Sequence, residues 1–572
     1  MEKKKHTSAL SSASKSDKVT SYFIKQGSAG LTSEGLKIAA EEEMFAFHTI
    51  VHNHSFRSMD CTTTLIKKLH EKKFSYELKA VNFETIMIDT SNHKNLKIVP
   101  ILIRYFDPKT GVQIKVLEFT NLKGETSDIL SSYIMEILTK HKLSHKIIAF
   151  TGDNCNTNFG GAARRGTKNV FTILNNNLKT NISGIGCTAH ILHNAMQTST
   201  DILPIDIECI VNKIFQYFYI YTVRVEALKE FCDFTNTQYK NVLGSVKTRW
   251  LSLQPAVSRI IEMYPALKLY FDTQDKCPTI LKSFFSDPVA IIWFHFIQSQ
   301  LKVVCDTIKR IEGENISACE VAEELEILCR KIKNRKTHYF LTSSVNSILL
   351  ELETKNKYTK KQFIEQTNQF YDTFLLYIEK WGNSFEELKI FRWTQLINCP
   401  IWNDIQKSLT FILQNNKKQT GWNVDEDILF DEYNHVVNII NENLKDWQNN
   451  NVRVEERWCA IHKILNSKSI SINNFCKIVE YSLAMPGTNA AIERVFSIFN
   501  VLWSDEKNRF LVPTIKSIII LKNHFKKYSC NDFYDFLLTQ PKLLNAISSS
   551  QKYSNDTTID NKGHDEQSTS TQ

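Results

Sequence analysis

Residues 84–120 read ETIMIDTSNHKNLKIVPILIRYFDPKTGVQIKVLEFT. Glu84 to Asp89 is a short apolar run that ends in an acid. Leu96 to Phe106 is almost continuously apolar, which predicts a strand buried on both faces. Pro100 cannot donate to a ladder, so a bulge or a late start of that strand is expected there. Pro108, Thr110 and Gly111 supply turn chemistry. Val112 to Thr120 then reads as a third strand, closing a hairpin or meander.

Beyond this stretch the period changes. Thr126 caps a predicted helix whose Ile129, Leu130, Tyr133, Ile134, Ile137 and Leu138 form one stripe. Lys146 to Phe150 is a fourth strand, with Thr151 to Asn154 as its terminal turn. A helix is expected over about 158–177, and Ile182 to Gly186 reads as a short fifth strand. Three consecutive strands, then helix, strand, helix, strand resemble the plan of a ribonuclease-H-like domain.

The flanks are different in kind. Residues 1–30 are rich in Ser, Lys and Thr and predict a disordered arm. Residues 31–83 read as a helical segment, with Leu36, Ala39, Ala40, Met44 and Phe47 at helical spacing. From about 196 to 480 long helical patterns dominate, among them Ile205–Cys232, Ala256–Tyr270, Val289–Ile311, Ala318–Ile332 and Thr359–Trp381. The fold class is therefore α/β plus α: a core with a mixed sheet over 84–195, whose last part and C-terminal region fall at 481–546, interrupted by a large all-helical insertion over 196–480. A Ser/Thr/Asp/Gln-rich tail follows from 547.

Composition narrows the function classes. The chain has 572 residues, 42% of them hydrophobic, with 35 Phe but only 17 Gly and 11 Pro. It can bury a large core, which excludes wholesale disorder, and it favours helix over an all-β fold. A formal charge of +9 permits nucleic-acid binding without requiring it. The 13 Cys include no CxxC pair, which points to buried thiols in a reducing compartment. The chain starts with no apolar leader and contains no run long enough for a membrane span, so a cytosolic or nuclear protein is expected.

Asp89 ends the first predicted strand and Asp153 follows the fourth. Either alone reads as a turn or cap residue. On neighbouring strands the two carboxylates would converge at one end of the sheet, where like charges call for a cation between them. Oxygen ligands alone suit Mg²⁺ or Mn²⁺, and phosphodiester chemistry uses such sites. A third carboxylate comes late: Glu493 lies in Thr488-Asn-Ala-Ala-Ile-Glu-Arg-Val-Phe-Ser497, off the apolar stripe of Ile492, Val495, Phe496 and Phe499.

Ala490–Ser497 resembles the ERxFS signature of hAT-superfamily transposases. Gly186-Cys-Thr-Ala-His190 is similar to the CxxH element of that family, and Lys247-Thr-Arg-Trp250 to its RW element. Residues 502–525 look like its C-terminal dimerisation region. The elements stand in the family's order, and the resemblance covers roughly 40–530. It implies a DNA cut-and-paste enzyme, or a catalytically silent descendant that binds DNA or protein. Asp89, Asp153 and Glu493 would hold the catalytic ions, Mg²⁺ or Mn²⁺, for two-metal phosphodiester hydrolysis and transesterification. Arg249 and Trp250 would contact DNA, with the Trp stacking on a flipped base. Cys187 and His190 would be structural supports near the site; a zinc site of Cys187, His190 and His193 lacks a fourth ligand nearby. The resemblance also implies DNA ends as partner, a nuclear location, and a homodimer or higher oligomer. Val501, Leu502, Ile515, Ile518, Ile519 and Leu521 are candidate interface positions, or else plain core. The family usually begins with a BED-type zinc finger. Here Cys61 is the only cysteine before residue 150, so a chain without that finger is expected.

Overall fold

Apolar runs and turn chemistry in 84–122 build the part of the sheet that positions the rest. The computed structural model describes residues 33–51, 78, 81–161, 166–178, 181–245, 250–313, 315–415, 423–503 and 512–548. The expected N-terminal arm, Lys247 to Arg249, and the tail from 549 lie outside the described residues. The chain divides into two compact units, Val81–Arg494 and the pair of segments before and after it.

In the first unit a six-stranded mixed sheet comprises β1 (Glu84–Ile88), β2 (Ser91–His93), β3 (Leu96–Asp107), β4 (Gly111–Leu122), β5 (Ile147–Gly152) and β6 (Ser183–Gly186). β3 pairs antiparallel with β1 and with β4, β5 lies parallel to β1, and β6 parallel to β5. β2, which the sequence did not signal, pairs with the start of β3 and so continues the edge that β1 occupies. Pro100 sits inside β3, between the residues paired with β2 and those paired with β1. A residue without an N–H is tolerated at such a gap. The register shift falls one residue later, between Ile101 and Leu102 against β4.

The helix Ser127–His141 follows β4, with the Thr126 side chain accepting from the Ile129 N–H. The single helix expected over 158–177 is two, Asn156–Phe159 and Val170–Leu178. Gly160 and Gly161 between them take positive φ of 70° and 81°, which ends a right-handed helix.

From Thr188 onward the described residues of this unit are helical or connecting. Ala290–Ile311, Ala318–Thr337 and Lys360–Glu386 pack in sequence, joined by rings such as Trp293 on Phe363 at 4.7 Å. Trp293, Trp393 and Trp458 are buried, as expected of a helical core. Phe106, Ile148 and Ile185 of the sheet belong to the same continuous apolar core as the helices. Arg104 of β3, 2% exposed, donates to the carbonyls of Leu483 (3.1 Å) and Asn315 (2.9 Å), which fastens the sheet to the last turn of the helix Asn473–Ala484 and to the connection before Ala318.

In the other unit the helix Ser33–Val51 packs against Cys530–Leu538 and Pro541–Ser548. Phe47 stacks on Phe533 at 4.1 Å. Of the positions read as an interface, Leu502, Ile515, Ile518, Ile519 and Leu521 are buried within the chain, and Val501 is 53% exposed. Among the described residues no single helix is long and apolar enough to cross a membrane.

Candidate active site

Parallel pairing of β1 and β5 sets the site. Met87 is paired with Thr151, so Asp89 and Asp153, each two residues further on, leave the sheet side by side. Adjacent strands are about 4.8 Å apart, close enough for their carboxylates to feel each other. Gly152 pairs in turn with Gly186 of β6, and Cys187 follows, its N–H donating to the Gly152 carbonyl at 3.0 Å. The helix Thr188–Thr200 starts there and carries His190 and His193.

Glu493 reaches the same edge from the far end of this unit, on the helix Ala490–Leu502. Its charge and that of Asp153 act on Asp89. Burial first, then the Asp153 carboxylate, and more weakly Glu493, push the Asp89 carboxyl up to about 7, against the Thr90 N–H at 2.8 Å and the His190 ring. His190 is pushed up to about 10, first by Cys187 and then by Asp89 and Glu493, which together outweigh desolvation. The edge thus gathers three carboxyl groups and the His190 ring.

Burial alone does not single out this cluster. Glu84, at the opposite end of β1, is pushed up to about 8 by desolvation, opposed by Lys146. Glu480 rises to about 7 for the same first reason. What sets Asp89 apart is that two further carboxylates raise it.

Asparagines frame the acids. Asn158 donates through Nδ2 to the Asp153 carboxylate and also to its carbonyl at 3.3 Å. Asn154 Nδ2 donates to the Cys187 carbonyl at 2.7 Å. It crosses the end of β6 only because residue 186 is Gly: a Cβ there would stand 1.9 Å from Asn154 Oδ1. Asn489 Nδ2 donates to the Ile88 carbonyl at 2.8 Å. The Oδ1 atoms of Asn154, Asn158 and Asn489 are buried without a hydrogen-bond partner.

Asp89, Asp153, Glu493, Cys187 and His190 therefore come together. Among the described residues no group of three or more His, Cys, Asp or Glu side chains is already gathered as a metal's ligand set, and this includes Cys187, His190 and His193. Arg249 lies outside the described residues. Trp250 opens the helix Trp250–Glu262, and its side chain is likewise outside the description. Arg494, next to Glu493, turns to the helical part and donates to the Glu312 carbonyl at 3.4 Å. A cavity of about 620 Å³ lies elsewhere, between Ala318–Thr337 and Lys360–Glu386, and none of these carboxylates lines it.

Sequence reasoning missed the asparagines. Asn154 and Asn158 read as turn and helix-start residues beside Asp153, and Asn489 as an ordinary residue at a helix start. Their one signal was position, each within five residues of a candidate acid. In comparisons with known proteins, no family model matches this chain and no curated protein is significantly similar to it.

Proposed function

We propose that the chain is a metal-dependent DNA-cleaving enzyme of the hAT transposase kind, built on a ribonuclease-H-like core. The observation that carries this reading is Asp89 beside Asp153 at the matched ends of adjacent parallel strands, with Glu493 acting on it from the helix Ala490–Leu502. The strand order β4-β3-β1-β5-β6, antiparallel and then parallel, supports the fold assignment. The order of ERxFS, CxxH and RW elements supports the family.

The residues fit a divalent cation. Like-charged carboxyl groups press on one another, and buried amide oxygens lack partners beside them. All of these are hard oxygen donors, which suits Mg²⁺ or Mn²⁺. Asp89, Asp153 and Glu493 would hold the cation. When bound, it supplies Lewis acidity, which lowers the pKa of an attacking water or 3′ hydroxyl and steadies the leaving oxygen. The chain's own residues orient the acids: Asn158 fixes the Asp153 carboxylate, and His190 stands where it interacts with Asp89 and Glu493. DNA as substrate agrees with the formal charge of +9. Action on chromosomal DNA would place the protein in the nucleus. Five of the six apolar positions offered for self-association are buried in the chain, so pairing of subunits would use other surface.

The test is nicking of double-stranded DNA by the full chain in Mg²⁺ or Mn²⁺, with Glu493→Gln as control. Nicking that needs the metal and is lost in the control supports the enzyme. A folded protein that nicks in neither form contradicts it and favours a silent descendant that acts by binding.

A further inference from the structure

Asn489 immediately precedes the helix that carries Glu493 and is fully buried. Its Nδ2 donates to the Ile88 carbonyl at 2.8 Å, and its backbone N–H donates to Cys187 Sγ at 3.3 Å. Ile88 is the last residue of β1 before Asp89, and Cys187 follows the last residue of β6. Thr188 adds a third tie: its hydroxyl donates to the Gly487 carbonyl at 2.6 Å. The segment 487–489 is thereby stitched to the ends of two strands of the sheet.

An Asn at a helix start normally satisfies the N–H groups of its own first turn. Here the hydroxyl of Thr488 does part of that, accepting from the Ala490 N–H at 3.2 Å. The Asn489 amide instead reaches across to β1. A helix rises about 5.4 Å per turn and is stiff over so short a length. Anchoring residue 489 therefore fixes where Glu493, about one turn on, stands relative to Asp89.

Building on the cation reading above, we propose that Asn489 is a positioning residue that sets the spacing of Glu493 from Asp89, and with it the affinity of the site for a divalent cation. Thr188 serves the same placement from the β6 side.

The experiment measures the rise in Tm that Mn²⁺ gives the full chain, in the wild type, in Asn489→Ala and in Thr188→Val. A ligand stabilises the folded state by RT ln(1 + [L]/Kd), so this rise reports affinity without any cleavage. Loss of outer-shell support weakens metal binding by about 10- to 100-fold, and the rise is expected to shrink accordingly in both variants. A residue with a merely structural role lowers the metal-free and metal-loaded Tm alike. An unchanged rise on a lowered baseline overturns the positioning role and leaves the cation site standing. Thr188→Val, which keeps the side-chain volume, decides the matter if Asn489→Ala fails to fold. A wild type that gains nothing from Mn²⁺ overturns the cation reading itself and the positioning role with it.

Discussion

Asp89 keeps a proton that an exposed aspartate loses. Its carboxyl titrates near 7 in the folded chain, against 3.8 as its ordinary value. A raised acid favours the folded state while it is neutral. That contribution is fully present below about 4 and is lost as pH rises through 7. Without metal, Asp89→Asn should therefore be more stable than the wild type at pH 8, by on the order of 2 kcal/mol once solvent screening is allowed for. The difference should fade toward pH 4. Thermal melts at both pH values check this, and an equal difference at both would contradict the electrostatic origin. Asp89 and Asp153 were legible because an acid directly after an apolar run is a pattern along the chain. Glu493 was legible through its motif, since nothing in its own helix points it at the sheet. Asn489 was not legible: its partners, Ile88 and Cys187, are distant in sequence, and no local period encodes such a bond.

At the scale of elements, the segment before the Glu493 helix is held on both sides. One side meets the strand ends; the other meets the start of Ala318–Thr337, where Ser317 pairs with Pro486 and the Ala318 N–H donates to the Met485 carbonyl at 3.0 Å. Gly487 makes this approach possible. A Cβ there would lie 2.1 Å from Val321 Cγ2 and 3.1 Å from the Ser317 carbonyl oxygen. Gly487→Ala should cost about 1–3 kcal/mol, as overpacking does in a tight core. A lowered Tm measures it, and an unchanged Tm would show that the contact relaxes freely. Arg104 fastens β3 to the same region. Burial lowers its pKa to about 10, with Glu320 and Glu455 opposing the shift. Arg104→Leu leaves the Leu483 and Asn315 carbonyls without their donor, and should cost about 1–3 kcal/mol for each in urea unfolding. A loss under about 1 kcal/mol would mean that water replaces the guanidinium. The strands were legible from apolar runs and turn residues. The break at Gly160 and Gly161 was legible in principle, since paired glycines end helices and no large apolar residue stands between Phe159 and Val170.

For the whole molecule, the sequence pattern separated a mixed sheet from a mostly helical remainder, as the structure has it. The helical stretch shares one core with the sheet, because core membership depends on which faces meet and not on period. The C-terminal apolar positions were ambiguous for the same reason: an interface and a core look alike along the chain, and in this fold five of the six are buried. The central claim also belongs to this scale, since it holds that β1, β5 and a helix that follows the entire helical stretch converge on one cation. Anomalous diffraction from crystals grown with Mn²⁺ tests it most directly. A Mn²⁺ peak is expected between Asp89, Asp153 and Glu493, at about 2.0–2.2 Å from their carboxylate oxygens. An ordered site with those three carboxylates in place and no peak among them would contradict it.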